Sequence, residues 1–224
     1  MEHSIIAWIG RNDGRQETIM KKMKYLGLCL ILGVGILSGC AGKTDADTTT
    51  VFVDKKGHIT GVDVEKLDQD YYDEEELKNY IADRIESYRS ENGNTVEETS
   101  LQVKDGVAKL KMKYDSAEDY KKFNGITFFA GTIAEAQEAG YDFDAEFFAP
   151  DEEEDEALTG ADKKDVLADD GCKVVIIKAC VDVSVKGDIR YVSGTAVRLK
   201  DKNTVSVTGD ENSEEAPLTY IIYQ

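Results

Sequence analysis

The densest group of oxygen ligands in this chain of 224 residues lies between positions 142 and 156. A weak calcium site of the extracellular kind needs only a few converging carboxylates. The candidates are Asp142, Asp144, Glu146, Asp151, Glu152 and Glu153. The EF-hand spacing is absent from every acidic cluster, and runs of like charge are usually solvated. We therefore expect no metal site here, with a Ca²⁺-dependent binding module as the alternative.

Nucleophilic catalysis needs a base within hydrogen-bond reach of a serine, cysteine or threonine. His58 is the only histidine after His3, and it follows a glycine in a predicted turn, where side chains usually face solvent. No serine lies in a recognisable nucleophile motif. The sequence therefore predicts a protein that is not an enzyme and needs no cofactor. A cell-surface enzyme of the hydrolase type, with a site that its sequence does not reveal, is the alternative.

Two cysteines flank an apolar run in "CKVVIIKAC", residues 172–180. The run predicts one continuous strand, in which Cys172 and Cys180 lie about 26 Å apart. A disulfide requires Cα atoms within about 7 Å, so we expect no bridge between them. Two thiols at this spacing, with one distant histidine, also make a poor zinc site.

An apolar run over residues 25–37 follows three lysines and ends in small residues. This order is typical of a secretory signal, whereas a membrane-spanning helix needs about 20 apolar residues. The end of the run resembles the bacterial lipobox through Leu37, Ser38, Gly39 and Cys40. The resemblance implies that Cys40 becomes the mature N-terminus and carries a diacylglyceryl thioether, which anchors the protein to the extracytoplasmic face of the cell membrane. An uncleaved anchor with an incidental cysteine is the alternative.

The lipobox divides the chain into segments with different expected roles. Residues 1–19 fit neither a signal nor a domain, so we interpret them as an upstream extension, with the true start at Met20 or Met23. The expected segments after it are a signal peptide (20–39), a flexible tether (40–50) and a single extracytoplasmic domain (51–224) that contains an acidic loop (149–170).

The chain is strongly acidic, with a formal net charge of −18. Removing residues 1–39 takes five basic residues from 27 and three acidic residues from 45, so 22 and 42 remain and the net charge is −20. Such a surface repels nucleic acid and anionic lipid headgroups. The expected partners are the membrane, through the N-terminal lipid, and an unknown protein or small-molecule ligand, with no nucleic acid.

Turn and cap signals place the elements of the domain. Asn92-Gly93 and Gly140 end two predicted helices, a shorter helix starts at Ser116, and Asp105-Gly106 is a strong hairpin turn. Val175, Ile177, Ala179, Val181, Val183 and Val185 alternate onto one face of the strand-rich last third. The pattern predicts an α+β fold: an antiparallel sheet of about six to eight strands, built from hairpins, with two or three helices packed on one face.

Aromatic residues bracket the helix that Gly140 ends. They are Phe128, Phe129, Tyr141, Phe143, Phe147 and Phe148. We expect ordinary core packing, and the alternative is a ligand groove or partner surface rimmed by acid.

Three longer stretches are similar to small uncharacterised lipoproteins of anaerobic Gram-positive gut bacteria. They are "VFVDKKGHITGVDVEKLDQDYYDEEELKNYIADRIESY" (51–88), "FNGITFFAGTIAEAQEAGYDF" (123–143) and "GDIRYVSGTAVRL" (187–199). The resemblance implies extracytoplasmic attachment and one α+β domain. That group has no assigned activity, so it implies no functional residue.

Overall fold

The structure is a computed structural model that describes residues 44–67, 73–151, 157–168, 171–194, 196–209 and 216–224. Within these ranges the chain forms two β-sheets and four α-helices, which confirms the predicted α+β class. The predicted extension (1–19) and signal peptide (20–39) lie outside the described residues.

The first sheet has seven strands in the order β11-β12-β9-β1-β2-β4-β3. Its neighbouring strands are antiparallel except for β1 and β9, which run parallel. The strands are β1 (Thr50–Val53), β2 (Ile59–Lys66), β3 (Val96–Lys104), β4 (Val107–Tyr114), β9 (Asp182–Val185), β11 (Val197–Asp201) and β12 (Thr204–Val207).

The second sheet has six strands in the order β5-β8-β13-β10-β6-β7, and all its neighbours are antiparallel. They are β5 (Phe128–Thr132), β6 (Phe147–Pro150), β7 (Leu158–Ala161), β8 (Lys173–Ile177), β10 (Ile189–Ser193) and β13 (Thr219–Tyr223).

Caps fix the ends of the first three helices. Asp73 accepts hydrogen bonds from the backbone N–H groups of Glu75 and Glu76, and Gly93, the predicted end, follows the last residue with a φ of +88°. Ser116 caps the helix predicted to start there, and Thr132 and Glu135 form a capping box. The helices are α1 (Glu74–Asn92), α2 (Ala117–Asn124), α3 (Ile133–Glu138) and α4 (Lys163–Ala168).

Two hydrophobic clusters hold these layers together. The main core joins the inner face of the first sheet to α1, α2 and one face of the second sheet. The second core joins the other face of the second sheet to α3 and α4. Strand β8 contributes to both: Val175 and Ile177 lie in the main core, and Val174 and Ile176 in the second. The helices therefore divide between two cores and do not share one face of a single sheet.

The predicted continuous strand through residues 172–180 is wrong. Strand β8 ends at Ile177 and β9 begins at Asp182, and the four residues between them carry the chain from the second sheet to the first. The predicted alternation persists across this crossover, and every alternating side chain from Val175 to Val185 is buried in the main core. Because both sheets turn one face toward the same core, alternation does not reveal which sheet a strand joins. Cys172 is buried, Cys180 is exposed, and no disulfide joins the two. The expected separation of about 26 Å assumed one extended strand, so it does not explain this result.

The predicted acidic loop over residues 149–170 contains regular structure. Strand β7 pairs with β6 from Phe147↔Ala161 to Pro150↔Leu158, and α4 follows with Val166 buried in the second core. A short edge strand and a six-residue helix bury few side chains, so neither produces a clear hydrophobic pattern among the acidic residues around it.

Gly187 stands where the chain passes from β9 to β10 and meets the last residue, Gln224. Asp188 and Gln224 exchange two backbone hydrogen bonds, of 2.9 and 3.1 Å. A Cβ atom at Gly187 would overlap the carbonyl oxygen of Gln224. Because the obstacle is backbone, the chain end has to move before any larger residue fits.

We expect Gly187→Ala to lower stability by about 2 kcal/mol or more, because it forces strand β13 away from its neighbours. Thermal unfolding of the purified protein measures the change. Gly57→Ala is the matched control: its φ is +86°, but nothing lies within 4 Å of the added methyl group, so it should cost only about 1 kcal/mol. Equal losses in the two variants would contradict the steric explanation.

Candidate functional site

The residues proposed for lipidation and for calcium binding are only partly within the structure. Leu37, Ser38, Gly39 and Cys40 lie outside the described residues, as do Glu152 and Glu153. Asp144 donates its backbone N–H to the Asp142 carboxylate at 2.9 Å, and both side chains are exposed. Among the described residues, no three His, Cys, Asp or Glu side chains converge to hold a metal. Asp142, Asp144, Glu146 and Asp151 are therefore not brought together.

The aromatic residues around α3 divide between the two cores. Phe128 is buried in the main core, with Phe148 packed against it from a partly buried position. Phe143 and Phe147 are buried in the second core beside Tyr220, with Phe143 and Tyr220 centroids 4.8 Å apart. Phe129 and Tyr141 pack against the same cluster. This arrangement matches the expected core packing.

His58 lies at the β1–β2 turn, as predicted. Its Nδ1 is 3.1 Å from the carboxylate of Asp54, and both side chains are about half exposed. Asp54 also accepts the backbone N–H groups of Lys56 and His58, at 2.7 and 2.9 Å. The pair therefore stabilises a tight turn.

A buried carboxyl group lies on the inner face of the first sheet. Asp63 belongs to β2, lies opposite Leu110 in the sheet register and is on the inner side of the sheet, as is Ile59. Two residues back, Gly61 lies against two tyrosine rings: a Cβ there would make ordinary van der Waals contacts with Tyr114 at 3.5 Å and Tyr120 at 3.6 Å. The two rings meet edge to face, with centroids 5.0 Å apart.

Burial, with a smaller contribution from the charge of Glu65, raises the pKa of Asp63 to about 7. Burial and the nearby Asp63 charge also raise the pKa of Tyr120 above its ordinary range. A carboxyl group with a pKa near neutrality suits general acid–base chemistry. Here the carboxyl is buried together with Tyr114 and Tyr120, which are 1% and 7% exposed, so the described residues leave it little contact with solvent.

We expect Asp63→Asn to stabilise the protein at high pH. Below pH 3.8 the carboxyl is protonated in both the folded and the unfolded protein. Between pH 3.8 and about 7 it is ionised in the unfolded chain but still protonated in the folded protein, so the free energy of unfolding falls as the pH rises. Above about pH 7 it is ionised in both, and the stability levels off. Asparagine does not ionise, so the variant keeps this stability. The difference between 3.8 and about 7 in the pKa of Asp63 corresponds to a gain of at most about 4 kcal/mol above pH 7. Urea unfolding at pH 4 and at pH 8 measures the difference.

Asp83→Asn, on the exposed side of α1, is the control and should show no such pH-dependent gain. If Asp63→Asn changes the free energy of unfolding by the same amount at pH 4 and at pH 8, burial does not raise the pKa of the Asp63 carboxyl.

The segment before β1 is held on the outer face of the first sheet. Thr49 Oγ1 and Val64 exchange two hydrogen bonds, of 3.2 and 3.1 Å. Nearer to the N-terminus, Lys109 on β4 binds the carboxylates of Asp45 at 3.3 Å and Asp47 at 3.1 Å. The predicted tether (40–50) is therefore in contact with the domain from Asp45 onward.

Asp182 also binds this segment. It belongs to β9, the strand that pairs with β1 on the edge opposite β2. Only 8% of its side chain is exposed, and its Oδ2 accepts hydrogen bonds from Thr48 Oγ1 at 2.6 Å and Lys200 Nζ at 2.7 Å. The carboxylate thereby joins the N-terminal segment, β9 and β11, which are far apart in the chain.

We expect Asp182→Ala to cost about 2 kcal/mol, because it removes the shared acceptor and leaves two donors without their partner. The value is below that of a fully buried ion pair because 44% of the Lys200 side chain is exposed. Asp188→Ala is the matched control: its pair with Lys202 is exposed on both sides and should contribute less than about 0.5 kcal/mol. Urea unfolding compares them, and similar losses would contradict the role of Asp182.

The outer face of β2, β4 and β3 is basic. Residues that oppose each other in the register point to the same side, and β4 buries Ala108, Leu110, Met112 and Tyr114 on its inner side. The outward positions of these three strands carry five lysines and one carboxylate, Glu97. We call this surface the lysine face: Lys66, Lys104, Lys109, Lys111 and Lys113.

The composition of the chain gives no indication of the lysine face, because the overall charge of the chain is −18. The signal was present in the strict alternation of "AKLKMKY", residues 108–114, which places every second side chain on one side of the strand. The other half of the sheet is balanced: Arg198 and Lys200 accompany Asp182 and Asp201 on its outer side.

No helix among the described residues is long and apolar enough to cross a membrane. A scan against protein-family models, a search of curated proteins and a search of solved structures each found no match to this chain. The resemblance to lipoproteins therefore stays a prediction.

Proposed function

We propose that this chain is a lipoprotein anchored to the extracytoplasmic face of a bacterial cell membrane through a lipid on Cys40. The sequence Leu37-Ser38-Gly39-Cys40 after an apolar run carries the proposal. A diacylglyceryl cysteine with a further acyl chain buries enough CH₂ groups for lasting attachment, whereas a single chain binds only marginally.

The geometry of the domain determines what such an attachment would do. The chain contacts the folded body from Asp45, only five residues after Cys40. Five extended residues span at most about 18 Å. A lipid on Cys40 would therefore hold the domain close to the membrane surface, and the ion pairs of Lys109 would define where the chain leaves the fold.

We further propose that the domain binds a protein or small-molecule ligand and is not an enzyme. His58 stabilises an exposed turn through Asp54, which accounts for its position. Asp63 also has the chemistry for acid–base catalysis, but its side chain is buried among other buried residues of the first sheet.

Expression of the full chain in a bacterium, with Cys40→Ser as the test variant, examines the attachment. We expect the wild-type protein to be in the membrane fraction and to partition into detergent, with a mass that includes acyl groups on its first peptide. Cys40→Ser should be released or remain as an uncut precursor, because it lacks the thiol that accepts the lipid.

Cys180→Ser is the matched control, because it makes the same chemical change at an exposed cysteine of the domain. It should be processed and anchored like the wild type. Unchanged cutting and anchoring of Cys40→Ser would refute the lipoprotein proposal.

A further inference from the structure

We infer that the lysine face docks on anionic phospholipid headgroups and sets the orientation of the domain on the membrane. The inference rests on the proposed lipid attachment and adds to it a second contact, made by the folded surface itself. Its first support is charge: five lysines and one glutamate occupy the outward positions of β2, β4 and β3. Lys109 also binds Asp45 and Asp47, so five positive and three negative charges leave this face at +2 in a chain whose net charge is −18.

The path of the N-terminal segment brings this face to the membrane. Asp45 and Asp47 are bound by Lys109, which is itself a member of the lysine face. The N-terminal segment is therefore bound on this side of the domain at Asp45, which is five positions after Cys40. A span of at most about 18 Å lets the lysines reach within one Debye length of the headgroups, which is about 8–10 Å at physiological salt.

The acidic residues of the helices lie on the opposite side of the first sheet. Leu77, Ile81 and Ile85 of α1 pack in the main core, against the inner face of the sheet. The exposed side of α1 then points away from the lysine face, and it carries Glu74, Glu75, Glu76, Asp83, Glu86 and Glu91. Because a helix packed on a sheet lies about 10 Å from it, salt largely screens these carboxylates from a surface that the lysines touch. The negative net charge therefore does not prevent docking.

The lysines keep enough freedom to meet headgroups. Lys66, Lys104 and Lys113 are exposed, and Lys111 is half-buried. A lysine side chain can rest its stem on the sheet and keep its ammonium group in the headgroup layer. Each lysine near an anionic surface is attracted by about 1 kcal/mol, or roughly a fivefold preference.

Lysine acetylation of the full-length lipidated protein tests the docking. The protein is reconstituted in vesicles of phosphatidylcholine alone or with phosphatidylglycerol added, and flotation reports attachment in both. Mass spectrometry then gives the acetylation rate of each lysine. We expect Lys66, Lys104, Lys111 and Lys113 to react about fivefold more slowly on the anionic vesicles, and high salt to restore their rates. Lys78, Lys121 and Lys122, which lie on the helices, should react equally on both.

The double variant Lys111→Glu, Lys113→Glu should float like the wild type but lose the protection of Lys66 and Lys104. Lys121→Glu, Lys122→Glu, which changes the net charge equally on α2, is the control and should keep that protection. Thermal unfolding shows that both variants are folded.

The possible results separate the two proposals. Flotation on both vesicles with equal lysine rates would overturn the docking and leave the lipid attachment standing. Failure to float, with no acyl mass on Cys40, would overturn the attachment and the docking with it. Slower acetylation of the helix lysines to the same extent would also overturn the inference, because the anionic surface would then contact no particular face.

Discussion

The burial of both sheets against one shared core is the constraint on which the rest of this structure depends. The first sheet turns its inner face toward α1, α2 and one face of the second sheet, and the chain crosses between the sheets without changing its alternation. A shift of one residue at the crossover would turn valines from the core to the solvent. Strand β4 buries Ala108, Leu110, Met112 and Tyr114 in the same core. Its alternation therefore places the three lysines between them on the outer side, so the position of the lysine face follows from the packing of the core.

Most local elements could be predicted from the sequence because they have their own chemical signals, which β7 and α4 lack. Asp105 and Gly106 both adopt positive φ in the β3–β4 turn, as the Asp-Gly pair indicates. Ser116 likewise caps the helix that was predicted to start there. The sheet to which each strand belongs could not be predicted from the sequence, since it depends on contacts between distant segments such as β1 and β9. The Gly187-Asp188 turn likewise resembles a hairpin but joins strands of different sheets.

The candidate sites differ in how far their residues alone define them. The lipobox is contiguous, so the sequence is enough to propose it. The lysine face needs the register of three strands, and the cluster of Asp63, Tyr114 and Tyr120 needs the packing of α2 against β2 and β4. The acidic stretch drew attention by its composition, but composition does not make carboxylates converge, and those described do not. Geometry decides between a charged surface and a site.

The position of β1 in the middle of the first sheet has a consequence for biogenesis. This strand follows the proposed anchor directly, yet one of its neighbours, β9, begins at Asp182, more than a hundred residues later. Such non-local pairing is slow to form because a long loop must close first. Strand β1 can pair with β2 early, but its pairing with β9 has to wait until Asp182 and the residues after it have been made. The segment before β1, which Asp182 holds through Thr48, therefore reaches its final position only when the last third of the domain folds.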